Sequence, residues 1–359
     1  MFMGRLLLVA VLFTACVTVM PRAATVTPSP SPAATPQPSP TPSRSDFLAV
    51  VGGPKNTSVS LVASDGTVLA TAAVDLAPFR MHTQMSWTST SRTRLYYLNA
   101  GSEVHYLAPD GTTGTATRIA LGASEQAGFA VSPDDSKIAV AIFTYTALPE
   151  AAYTGMRLYI EDLNGGGRHA DIFSSTTVAE FPVGWTTGHL ILAVSEPRCC
   201  PAEPGNPYDA SAYHVVDPAT GSRLFTVCDQ SVGPMGPIEP IGAVCYHPGQ
   251  APTYQRWDGS PFDAPAAIPN PDQFPNAVAP DGSRVAGGQA GFRMVIFGPR
   301  GAWNWLNQTG VVLGWLDSDR IVFRALNGVA LSVLELDTKA SAEISPGGAY
   351  LGTFPTALT

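Results

Sequence analysis

Few residues in this sequence have the types and spacing that catalysis requires. The six histidines, His82, His105, His169, His189, His214 and His247, are scattered along 359 residues. H-E-x-x-H, which would place two imidazoles and a general base on one helix face, is absent. So are the phosphate-cradling P-loop and the G-x-S-x-G elbow that exposes a serine nucleophile on a strained turn. Carboxylates do fall close together, at Glu161-Asp162 and at Asp317 with Asp319. Glycoside hydrolysis, however, needs two carboxylates roughly 5–9 Å apart across the scissile bond, and adjacency along the chain does not set that separation. No catalytic residue, metal or cofactor is therefore assigned, and the chain is expected not to be an enzyme.

The cysteines carry a different chemistry. Cys199, Cys200, Cys228 and Cys245 lie within about fifty residues of one another, and an even number outside the cytosol reads as disulfides. A bridge between the adjacent Cys199 and Cys200 is strained, so each is expected to reach Cys228 or Cys245. No C-x-x-C pair supports zinc instead. The fifth cysteine, Cys16, follows Arg5, an apolar run from Leu6 to Phe13, and Thr14-Ala15. A charged start, an apolar stretch and small residues make a secretory signal over residues 1–20. The segment resembles a bacterial lipoprotein signal, which implies a lipid on Cys16 and a membrane anchor.

Residues 21–45 are a Pro/Ser/Thr-rich linker with almost no apolar surface to bury. Such chain extends at about 3.1 Å per residue and is expected to tether residues 46–359 to the membrane, or to lead a secreted or periplasmic body. Lys55, Lys137 and Lys339 are the only lysines and the net charge is −8. That leaves no basic stripe to displace counterions, so a nucleic-acid partner is excluded.

What positions these residues is a repeat. The 34 glycines and 33 prolines suit short strands joined by tight turns. Residues 127–173 show the unit: a strand ending at Val131, the turn Ser132-Pro133-Asp134-Asp135, a strand from Lys137 to Phe143, a third from Met156 to Glu161, the Asn164-Gly165 turn, and a fourth ending at Phe173. The same order recurs at 85–121, 181–227, 276–306 and 311–345, and more poorly at 240–268. Trp87, Trp185 and Trp315 are expected at the end of a first strand. The Asp residues of these turns set backbone geometry rather than bind calcium. Residues 46–74 hold only three strands, whereas Tyr350 to Phe354 is one strand too many. Pairing the tail with the head would remove the open edge. The expected fold is all-β, a seven-bladed propeller of four-stranded antiparallel blades closed by the C-terminal strand. A six-bladed count, or a pair of β-sandwiches, is the alternative.

Ser132-Pro133-Asp134-Asp135 and Ala279-Pro280-Asp281-Gly282 make the chain resemble the TolB-type, WD-repeat-like propellers, whose blades carry such a turn between first and second strands. The resemblance implies an envelope scaffold that docks a protein or small ligand on its loops. It brings no catalytic residues. Two long second-to-third-strand loops, Thr144 to Gly155 and Glu196 to Ser211, share one face. Loops that long are uncommon without a function, and Tyr145, Tyr153 and Tyr208 would offer aromatic contact there. That face is the expected binding surface. A propeller enzyme acting on glycans or peptides, or a purely structural envelope protein, is the alternative.

Overall fold

A computed structural model describes residues 47–355, except 54–56, 76–86, 101, 147–152, 166, 187, 196–209, 230–238, 246, 248–252, 262–276, 290–292 and 299–302. Among the described residues there is no helix and there are 25 strands. The first three, β1 (Phe47–Gly52), β2 (Ser58–Val62) and β3 (Val68–Ala73), form one run. A second run is β4 (Thr88–Thr90), β5 (Leu95–Asn99), β6 (Glu103–Leu107) and β7 (Thr113–Arg118). The third is β8 (Glu125–Val131), β9 (Lys137–Tyr145), β10 (Tyr153–Asp162) and β11 (Ala170–Ser175), and the fourth β12 (Ala179–Thr186), β13 (His189–Ser195), β14 (Ala212–Val216) and β15 (Arg223–Val227). A short pair follows, β16 (Gly242–Cys245) and β17 (Thr253–Arg256). Then come β18 (Ala277–Val278), β19 (Val285–Gln289), β20 (Arg293–Phe297), β21 (Trp303–Asp317), β22 (Arg320–Ala325), β23 (Leu331–Glu335), β24 (Ser341–Ser345) and β25 (Ala349–Pro355).

Four of the sheets have four antiparallel strands each: β25-β1-β2-β3, β4–β7, β8–β11 and β12–β15. Among the described residues β16 and β17 form a two-stranded sheet, and β18–β24 form one seven-stranded sheet. The continuity of the last comes from β21, whose residues 303–309 pair with β20 and whose residues 310–317 pair with β22. Successive four-stranded meanders closed end to end are a propeller arrangement.

The packing explains the residue choice. β9 reads KIAVAIFTY and is buried at almost every position, because a second strand is covered by sheets on both faces and so needs no polar alternation. Outer strands such as β7 (TGTATR) and β15 (RLFTV) are largely exposed or half-buried. The turns behave as the Pro-Asp pattern requires. Asp281 accepts the Ser283 backbone N–H at 2.9 Å, and Gly282 beside it takes φ +74°, a left-handed backbone that costs glycine little. In the Ser132 turn that position is Asp135, at φ +59°. Its carboxylate accepts the Tyr96 hydroxyl at 2.7 Å and also the Thr93 hydroxyl. A conformation unfavourable to a non-glycine residue is thus tied to the neighbouring β4–β7 sheet.

The spare C-terminal strand pairs with the head of the domain. β25 lies against β1, from Phe47↔Pro355 to Gly52↔Ala349, and completes the three-stranded run. Thr353 and Tyr350 donate their hydroxyls to the Trp315 carbonyl at 2.9 and 3.2 Å. Arg324 donates to the Gly348 carbonyl at 3.0 Å, and Thr90 donates to the Thr353 carbonyl at 3.3 Å. The closing strand is therefore bonded to the sheets on either side of it. One expectation needs correction: Trp87 precedes β4 instead of ending it, because the turn that ends this strand falls later, at Ser91–Arg94, where it is held by its own hydrogen bonds.

Candidate functional site

The end of the β8–β11 sheet where β9 passes to β10 carries a groove of about 530 Å³. Its position follows from register. Glu125 on β8 pairs with Thr144 on β9, Thr144 with Gly155 on β10, and Arg157 with Ser174 on β11. Alternation along strands puts the side chains of one such row on one face of the sheet. The groove is lined by Thr144, Thr154, Met156, Arg157, Ser174, Ser175 and Thr176. Gly155 sits at its floor, where a Cβ would stand 3.3 Å from the Ser175 carbonyl oxygen. The absence of a side chain lets the two strands approach and keeps the groove open.

Arg157 donates from both terminal nitrogens to Glu125, at 2.6 and 3.2 Å. Glu125 also accepts the Gly122 backbone N–H at 2.7 Å, and its side chain is mostly buried. The Arg157 hydrogen bond, which outweighs desolvation, holds this carboxyl below the usual carboxylate range. Thr154 donates to the Thr144 carbonyl, and the Ser175 hydroxyl accepts the Thr177 and Val178 N–H groups. The hydroxyls of Thr144, Ser174 and Thr176 have no hydrogen-bond partner among the described residues.

The tyrosines expected to offer contact area at this end are placed otherwise. β9 continues to Tyr145 and β10 starts at Tyr153, so both belong to the sheet. Tyr145 is 5% exposed. Tyr153 packs on Phe143 with ring centroids 6.3 Å apart, and its hydroxyl donates to the Ser175 and Val178 carbonyls at 3.2 Å each. Burial pushes its pKa up to about 12. The buried cluster around Phe143 takes in Tyr145 and part of Tyr153, and the contact surface falls to the hydroxyls instead. Tyr208, Cys199, Cys200 and Cys16 lie outside the described residues. Cys228 and Cys245 are bonded to each other, with Cα atoms 4.9 Å apart. That corrects the expected pairing of either with Cys199 or Cys200. The step from the end of β15 to β16 already brings Cys228 beside Cys245, and both are buried.

A second polar constellation crosses the β12–β15 sheet. His214 Nδ1 lies 3.1 Å from Glu180 Oε1, with both side chains 12% exposed. His214 Nε2 lies 3.1 Å from an Arg223 nitrogen. Arginine only donates, so Nε2 must carry the lone pair and Nδ1 the hydrogen given to Glu180. A carboxylate–imidazole pair of this kind could serve as a general base, but here the nitrogen that would take the proton is occupied by Arg223. His105 and His169 are likewise tied to carboxylates, His105 to Glu103 and His169 to Glu161 and Asp171. The hydrogen bond to Glu161 is the main reason that His169 titrates above the usual histidine value. Of the adjacent carboxylates, Asp317 is held by Arg320 and Asp319 by Arg284. Spacing in the sequence signals neither the Glu125–Arg157 pair nor the Glu180–His214–Arg223 line. Both arise from strand register, across 32 and 43 residues.

No family model and no curated protein matches the chain. Solved structures similar to it include BamB from Moraxella catarrhalis, at 12% identity and TM-score 0.42 over 77% of this chain and 78% of that one. TolB from Acinetobacter baumannii is similar at 13% identity and TM-score 0.40, over 76% and 66%. An oligogalacturonate lyase from Vibrio parahaemolyticus is similar at 9% identity and TM-score 0.38, over 83% and 79%. At these values no conclusion about activity rests on them, and the propeller arrangement of this chain stands on its own strand pairing.

Proposed function

We propose that the chain is an exported propeller acting as a binding scaffold at the cell surface or in the periplasm, with the groove beside β10 as its contact site. The groove carries this reading. It has the volume of small-ligand sites, about 300–1,000 Å³, and lies at the end of the sheet where β9 hands over to β10. Its open hydroxyls and the Arg157–Glu125 pair supply directional contacts on a four-stranded sheet. The leader, the Pro-rich tether and a buried Cys228–Cys245 bridge suit an oxidising compartment. Binding without catalysis is favoured by the capped state of His214. The body consists of seven blades in this reading, with β16–β17 as the fifth and the division of β21 separating the sixth from the seventh.

The test is site-specific photo-crosslinking of the full chain in its native host. A crosslinker in place of Thr176 is expected to give a discrete adduct, and one in place of Lys339, in the turn between β23 and β24, is expected to give none. Equal labelling from both positions, or none from either, would overturn the assignment of the contact site.

A further inference from the structure

The chemistry of the groove narrows what can occupy it. We propose that it takes a neutral, hydroxyl-bearing ligand of the saccharide class, an inference that rests on reading the groove as the contact site. Three observations point there. First, the hydroxyls of Thr144, Ser174 and Thr176 are without partners among the described residues, and each can both donate and accept. A ligand rich in hydroxyls matches both roles, whereas a phosphate or carboxylate uses only the donors. Second, the one cation in the lining, Arg157, is already neutralised by a bidentate carboxylate. Two of its five N–H donors are spent on Glu125; the rest remain to hydrogen-bond oxygen, but the pair presents no net charge to attract an anion. Third, the lining contains no aromatic ring, and its one apolar side chain, Met156, is only 5% exposed, so a peptide would find little to seat a large apolar anchor of the kind that dominates protein interfaces.

The geometry suits a chain laid across the strands. Thr144, Arg157 and Ser174 belong to three adjacent strands, spaced roughly 4.7–4.9 Å apart. Successive ligand hydroxyls can therefore be met by successive strands. Direct hydrogen bonds exchanged with water contribute modestly each, so the expected affinity is weak for a single sugar and rises with chain length.

The experiment is calorimetric titration of the full chain with maltohexaose, cellohexaose and N-acetylated chitohexaose. Trigalacturonate and inorganic phosphate serve as anionic probes. Saturable binding of a neutral hexasaccharide is expected, weakened about tenfold in the Ser174→Val/Thr176→Val double variant. Both residues are exposed, valine suits the strand position of Ser174 and is nearly isosteric with Thr176 just past the end of β11, so the variant should melt with the parent. A sedimentation arm with insoluble cell-wall polysaccharide distinguishes an envelope glycan from a free oligosaccharide; either supports the class. Tighter binding of trigalacturonate or phosphate, or equal binding by the double variant, overturns the inference. If Thr176 crosslinks to a protein while no saccharide binds, the ligand class fails and the contact site stands. If neither occurs, both fail.

Discussion

β9 and β10 share nine register pairs, whereas β16 and β17 share four. In the β8–β11 sheet the second strand is buried along most of its length, and Phe143 meets the Tyr153 ring within its own sheet and the Phe181 ring of the next, each at 6.3 Å. The β16–β17 pair depends on ties to its surroundings. Cys245 is bonded to Cys228, Gln255 accepts the Cys228 N–H at 2.8 Å, and Trp257 stands edge-on to Tyr213 of the preceding sheet. Where the described ladder is long, burial carries most of the packing. Where it is short, a covalent bond and side-chain hooks supplement it.

Two perturbations should separate the regions. Phe143→Ala removes a fully buried ring and is expected to cost about 3–5 kcal/mol. Because the ring touches two sheets, hydrogen exchange should rise in both β8–β11 and β12–β15. Cys228→Ser with Cys245→Ser opens a loop with a sequence separation of 17 and is expected to cost about 3 kcal/mol. Exchange should then rise in β16 and β17 first and leave β9 and β10 protected. Equal deprotection everywhere after loss of the bridge would break the comparison, since the pair would then be as integral as the long sheet.

The features that follow local rules were legible in the sequence. Ala279-Pro280-Asp281-Gly282 makes a turn because of the conformational preferences of those four residues, and Tyr350 to Phe354 had to pair somewhere because three strands preceded the first complete repeat. What escaped reading depends on register. Register shifts at Tyr153/Gly155 and at Leu158/Tyr159 decide which face Arg157 and Ser174 share, and a one-residue slip reverses every such assignment. Tyr145 and Tyr153 fall beyond the apolar runs that mark the two strands in the sequence, so spacing alone places them in a loop. The strands instead extend past that point and take both rings inward. The Cys228–Cys245 pairing escaped for a similar reason: the step between two repeats sets it, and spacing within one repeat does not.

The smallest effect tests the weak region from the opposite direction. Glu239 precedes β16, is 7% exposed, and its carboxyl is pushed well above the usual range by burial. Between the unfolded value, about 4.3, and the raised folded value, the folded state holds a proton that the unfolded state has lost. The native state then binds more protons, so stability falls as pH rises through that window. Glu239→Gln keeps the shape and removes the titration. The variant is expected to melt a few degrees higher at pH 8, to match the parent near pH 4, and to show a flatter dependence of melting temperature on pH. The Trp257 indole N–H bonds to the Glu239 backbone carbonyl and is untouched by the change, so the comparison isolates the carboxyl. If the variant and parent melt in parallel from pH 4 to pH 8, the buried acid does not weaken this pair. Its short ladder would then have to account for the whole difference from β9 and β10.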